Sequence, residues 1–193
     1  MPTINQAACD FLAQRRSFPA KLMAGAVPSE AELRAILTVA LRVPDHGKLE
    51  PWRLVVLEKL ALMRLADLAE TRAQALGGDA QMVGKGRGQF DTGQLAVAVI
   101  SAPKLQDKVP LVEQQNSAAA LAFGIVIAAT AAGWRANWLT GWVSHDRPFI
   151  SRAFDCTATE TLVGFVHVGS VGGTEIADRP RPDLDQVATW MRQ

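Results

Sequence analysis

Cysteine is scarce in this 193-residue chain. Cys9 and Cys156 are the whole supply, too few for a disulfide framework and matching no metal-ligand spacing. Histidine is nearly as rare, with three scattered residues, so a structural zinc site lacks partners. An excess of charge of one sign is missing too. Twenty Lys and Arg stand against nineteen Asp and Glu, a formal net charge of +1, which removes the general electrostatic footprint of a nucleic-acid-binding or membrane-surface protein. No apolar signal peptide opens the chain, because Asn5, Gln6, Asp10 and Arg15 interrupt its first turns. The apolar run at 118–133 is shorter than the ~20 residues needed to span a bilayer and is rich in Ala rather than Leu. It reads as a helix buried in protein. The expectation is one cytoplasmic domain over residues 1–193.

What is present is ordinary for a folded chain, 49% hydrophobic and 20% charged. Ile4, Ala8, Phe11 and Leu12 share a helical face before 15-RRS-17. Ser29 to Glu32 makes a capping box, followed by Leu33, Ile36, Leu37, Ala40 and Leu41 at helical spacing; Pro44 closes that helix. Strands are predicted at 53–57, 95–101 and 161–169, with a strand or strand-loop at 136–143. Helices are predicted at 60–76, from Pro110 to about Gly133, at 147–154, and briefly after Asp183, its expected N-cap. The long helix is apolar on all sides, which suits either a core position or a second subunit. The fold expected is an α+β central mixed sheet flanked by helices, dimeric through that helix.

Three segments can carry chemistry. Arg15, Arg16 and Ser17 offer forked, permanently charged donors and a hydroxyl, the groups a phosphate monoester needs; arginines at a helix C-terminus also simply complement its dipole. The segment 42-RVPDHGKLEPWRLVVL-57 gathers Arg42, His46 and Lys48 on a Pro-bounded turn, with Asp45 placed to cap it. The segment 136-ANWLTGWV-143 sets Trp138 and Trp142 around Thr140 and Gly141, where glycine permits close approach to a flat ligand. Aromatic packing in a core strand explains the same residues.

Other features read as structural. The run 84-GKGRG-88 lacks the strand, spacing and Ser/Thr of a phosphate loop and is expected as a flexible surface loop. Asp146 caps the 147–154 helix, His167 is a hydrogen-bonded core or interface residue, Cys9 and Cys156 pack, and Glu113 suits the first turn of the long helix. There is no Ser-His-Asp order, HExxH motif, carboxylate pair or dinucleotide glycine fingerprint. That absence points to borrowed chemistry, meaning a cofactor.

Taken together, RRS (15–17), RVPDHGKLEPW (42–52), KVPLVEQQNSAA (108–119), AAG then NWLTG (131–141) and GFVHVG (164–169) resemble the FMN-dependent nitroreductase family, in its short single-domain branch. The motifs occur in the family's order along nearly the whole chain. The resemblance implies a nitroreductase-like fold, an interlocked homodimer, and FMN at the subunit interface. It implies that Arg15, Arg16 and Ser17 hold the flavin phosphate and that Arg42 and His46 reach the same flavin from the partner. It implies further that Trp138, Leu139, Thr140 and Gly141 line the ring, with backbone N–H groups facing flavin N5. It implies as well that NADH or NADPH serves as co-substrate in a ping-pong cycle that passes hydride to nitroaromatics, quinones or similar flat small molecules. Residues 128–133 match a segment assigned to the nicotinamide nucleotide. Leu139 departs from the Arg of close relatives, which bears on flavin tuning or substrate charge. Arg179 and Arg181 are placed to wrap a partner or touch phosphate. A flavin-binding or specialised flavin protein of the same fold, without general nitroreductase turnover, and a cofactor-free interaction module stand as alternatives.

Overall fold

A computed structural model describes residues 2–105, 108–171 and 176–192. Its centre is a four-stranded sheet of order β1-β2-β4-β3, formed by β1 (Trp52–Glu58), β2 (Leu95–Ser101), β3 (Arg135–Leu139) and β4 (Thr161–Gly169). All three pairings are antiparallel, so the expected mixed sheet is not what these strands form. β2 is buried along its whole length, in keeping with a sequence apolar on both faces. β1 and β3 are the sheet's edges.

One face carries α3 (Lys59–Ala75), α4 (Ala80–Asp91) and α6 (Arg147–Phe154) over Ala96, Ala98, Ile100 and Phe165. Phe90 of α4 meets Phe165 edge-on at 5.1 Å between ring centres. Arg72 of α3 clasps Asp146 through Nε to Oδ2 at 2.7 Å and Nη2 to Oδ1 at 3.0 Å. Asp146 Oδ2 also accepts from the Phe149 N–H, which makes it the cap of α6 that its position promised. The Arg72 guanidinium holds this carboxyl below the usual carboxylate range, and the Phe149 N–H adds to the effect.

The other face carries α2 (Glu30–Ala40) and α5 (Leu111–Ala131) over Val97, Val99, Val166 and Val168. The capping box at Ser29 is complete: Ser29 Oγ accepts from the Glu32 N–H, and Glu32 accepts from the Ser29 N–H at 2.8 Å. α5 has the length and composition to cross a membrane, yet Leu121, Ala122, Ile125 and Ala129 are wholly buried against the sheet and α2. α1 (Gln6–Gln14) and α7 (Leu184–Val187) lie outside these layers, and no residue of either is buried. Cys9, expected to pack, is therefore exposed on α1, whereas Cys156 is buried.

Residues 84–88 are not a surface loop. They run through α4, capped by Asp79, whose side chain accepts from the Met82 N–H at 2.8 Å. Tertiary packing overrides glycine's poor helix propensity, because Gly86 lets the Trp142 indole lie on the helix. A Cβ at Gly86 would come within 2.7 Å of Trp142 Cζ2, while Gly84 and Gly88 have nothing within 4 Å. His167 departs from expectation as well: it is buried, but neither ring nitrogen has a hydrogen-bond partner among the described residues. Gly93 backs directly onto it, so that even a methyl there would lie 3.1 Å from the ring. Desolvation pushes the imidazole down to about 4.

Two predictions follow from this packing. Gly86→Ala lowers the urea midpoint, at a cost of about 1–3 kcal/mol, while Gly84→Ala and Gly88→Ala raise it by up to about 1 kcal/mol each. Equal effects at all three positions would contradict the Trp142 contact. For His167 the folded-state pKa lies below the ordinary 6.5, so the unfolded chain protonates first as pH falls. Its stability contribution is whole above pH 6.5 and declines towards pH 4, by on the order of 3 kcal/mol. Stability of the wild type measured against His167→Leu across this range should show that decline; parallel curves would contradict it.

Candidate functional site

Arg15, Arg16 and Ser17 leave the end of α1 and run beside β3, where the Phe18 N–H donates to Ala136 O at 3.1 Å. The segment thus lies along a free sheet edge. Arg15 stacks over the Phe123 ring of α5 at 5.4 Å, and its Nη1 is buried without an acceptor among the described residues. Such a buried charged donor costs free energy unless something partners it. Arg16 Nη1 donates to Asp178 Oδ1 and Ala177 O, each at 2.7 Å. The Asp178 carboxyl sits below its usual range, first because the Arg179 N–H donates to it and then because of Arg16. Ser17 is exposed. A cavity of about 270 Å³ opens here, with Arg15, Arg16, Thr130 and Arg135 on its wall.

The turn after α2 makes the second group. Asp45 caps it as expected, Oδ1 accepting from the Leu49 N–H at 3.1 Å and Oδ2 from the Glu50 N–H at 2.9 Å. Those bonds hold Gly47, Lys48 and Glu50 at positive φ, an arrangement that costs free energy at the two non-glycine positions. Ser117 Oγ of α5 donates to Pro44 O. His46 Nδ1 lies 2.7 Å from Glu113 Oε2 in the first turn of α5. Arg42 is exposed and lines a cleft of about 870 Å³ with Asp45, Lys48, Trp52 and Lys104.

At the end of β3, Trp138 Nε1 donates to Val163 O at 3.2 Å, its indole lying over Gly164 at the irregularity in β4. Its polar atom is thereby committed to the protein. Leu139 is half-buried, Thr140 exposed, and Gly141 half-buried in extended backbone. Neither the Thr140 nor the Gly141 N–H donates to a backbone or side-chain acceptor among the described residues. Trp142 turns to the other face of the sheet, its Nε1 donating to Met82 O.

The structure therefore brings Arg15–Ser17 to the start of β3, whose far end carries Trp138 and Leu139 and leads into Thr140 and Gly141, but it does not bring Arg42 and His46 to them. His46 meets α5 at Glu113 and Arg15 meets it at Phe123, about 15 Å apart along the helix axis. Of residues 128–133, Ala128 and Ala129 are buried and Thr130 reaches the arginine cavity. In the tail, Arg181 donates to Ala13 O of the same chain. Arg135 escaped the reading of the sequence. It stands one residue outside the strand segment singled out there, and only its place in the cavity marks it.

The chain matches the model of the family described as "Nitroreductase family" over residues 12–170. It is 31% identical over 163 residues to the Escherichia coli (strain K12) protein named "Putative NAD(P)H nitroreductase YdjA", covering 84% of this chain and 87% of that one. A protein of Haemophilus influenzae with a similar name is 29% identical over 162 residues, covering 82% and 85%. Among solved structures, a nitroreductase-like family protein from Bacillus cereus matches with a TM-score of 0.75 at 18% identity, covering all of both chains. An FMN and NADPH-dependent nitroreductase variant, NfnB from a sphigopyxis strain, matches with 0.73 at 14% identity, over 96% of this chain and 99% of that one. The fold is shared with both.

Asp45→Ala removes both acceptors that hold the strained turn. It should lower stability by about 1–2 kcal/mol in urea unfolding, and an unchanged midpoint would show that the turn holds its shape without them.

Proposed function

This chain belongs to the nitroreductase family, and on that footing we propose that it is an FMN-dependent oxidoreductase. It takes hydride from NADH or NADPH and delivers it to a nitroaromatic, quinone or similar flat acceptor in alternating half-reactions. The observation that carries the reading is Arg15 Nη1, buried without an acceptor among the described residues, in an arginine-lined cavity beside the start of β3. A phosphate monoester brings about two negative charges and three acceptor oxygens, which the donors of this cavity match. The residues fit the cofactor.

Bound FMN supplies the capacity to accept a hydride and pass it on. The protein's part is to bind and orient. Arg15 and Arg16 hold the phosphate end by paired N–H donors, with the Ser17 hydroxyl beside them. Thr140 and Gly141 offer backbone N–H groups to the edge of the ring. Leu139 presents an apolar side chain, which leaves the acceptor slot without a charge at that position. Solvent at these exposed positions supplies protons, so no side chain of this chain is assigned as a general acid.

Arg42 and His46 complete the site of a second copy. Their distance from Arg15 within one chain supports that assignment. So do the exposed Phe123, Leu111 and Val112 of α5, Ile4 and Leu12 of α1, and Trp190, which is 67% exposed. Apolar surface of this extent calls for a cover, and a homodimer through α5 provides one.

The test is the visible spectrum after incubation with FMN and desalting, followed by NADPH or NADH. Retained bands near ~450 nm that bleach with one donor support the reading. Flavin that neither donor bleaches points instead to a flavin-binding protein without this turnover. Arg16→Ala and Arg42→Ala should each reduce retained flavin about tenfold or more; full flavin content and turnover in both would refute the site.

A further inference from the structure

We propose that Arg135 is a third phosphate-binding residue, which with Arg15 and Arg16 forms the cradle for the 5′-phosphate of FMN. The inference rests on the flavin reading above and adds a residue to its site. Arg135 opens β3 directly opposite Gly169 of β4. The Phe18 N–H bond to Ala136 O draws the arginine segment against that same point of the strand. Arg135 accordingly shares the 270 Å³ cavity with Arg15 and Arg16, its guanidinium carbon 5.7 Å from the centre of the Phe18 ring. That ring pre-orients the planar group. Among the described residues Arg135 has no carboxylate within ion-pair distance, whereas Arg16 has Asp178.

Three guanidiniums line the cavity, and Asp178 sits on Arg16, with Arg181 near enough to lower the Asp178 carboxyl further. A phosphate monoester carries about −1.5 to −2 at neutral pH and is drawn to such a cluster. Arg16 is already engaged by Asp178 and Ala177 O, so Arg135 adds a guanidinium without a carboxylate of its own among the described residues. Arg135 is also exposed at a strand end, where an unpaired guanidinium remains hydrated without a ligand and pays little to await one.

The experiment titrates the full-length chain, freed of flavin by dialysis, with FMN and with riboflavin, following flavin fluorescence. Riboflavin lacks only the phosphate and so reports on ring binding and on folding. Arg135→Ala should weaken FMN about 10–100-fold and leave riboflavin unchanged, with Arg135→Lys in between. If FMN is unaffected, or if both flavins weaken equally, Arg135 is no phosphate ligand and the proposal falls while the flavin reading stands. Unaltered FMN with selective loss of NADP+ over NAD+ also overturns it, giving the arginine to the nucleotide's 2′-phosphate. A wild-type chain that binds neither flavin overturns both readings.

Discussion

The helix Leu111–Ala131 has to hide a surface that is apolar nearly all the way round, and the molecule is arranged about that requirement. The sheet takes Leu121, Ile125 and Ala129, and α2 takes a second side. What is left includes Phe123, which stays exposed beneath Arg15. Such a helix is too costly to leave half-covered in water. Its length also acts as a ruler. The turn bearing His46 is tied to its first turn by Glu113 and Ser117, and Arg15 is tied to its middle by Phe123. The two groups of residues proposed to bind ligand are thereby held apart within one chain, and the proposed homodimer, with a second copy related through this helix, would join them.

Electrostatics give the rest of the site its direction. The chain is nearly neutral overall, so the gathering of Arg15, Arg16 and Arg135 at one cavity is local. Elsewhere arginines are spent on structure: Arg72 on Asp146, Arg53 on Glu160, and Arg87 on Asp67, Glu70 and Asp91. Each of those guanidiniums faces at least one carboxylate. At the cavity the match is incomplete: Asp178 faces Arg16, while Arg15 and Arg135 have no carboxylate within ion-pair distance among the described residues. A site that binds an anion must leave cations unmatched, because charges already neutralised have little left to offer a ligand.

Much of the fold was legible in the sequence where local chemistry and burial agree. The 95–101 and 161–169 strands and the 147–154 helix stand at the residues expected, since each is bounded by strong signals: β2 is apolar on both faces, and Asp146 caps α6. The misreadings have physical causes. Three glycines in 84–88 speak against a helix, yet Trp142 needs the space at Gly86, and Asp79 caps the helix from outside the segment. Period-two alternation placed His167 inside without revealing whether its nitrogens would find partners there. At the candidate site, the motifs around Arg15, Asp45 and Thr140 were legible as candidate binding segments. Their spatial separation was not, because it is set by the length of α5, and Arg135 comes beside the Arg15 segment through the Phe18–Ala136 contact.

The central claim is that one chain holds two halves of two different sites, so that flavin is retained only where two copies meet. Native mass spectrometry of the full chain with FMN tests this most directly. The account predicts a flavin-bearing species at twice the 20.8 kDa chain mass, carrying two FMN, with flavin-free protein at the single-chain mass if any persists there. A monomer that retains FMN as firmly as the dimer would contradict it.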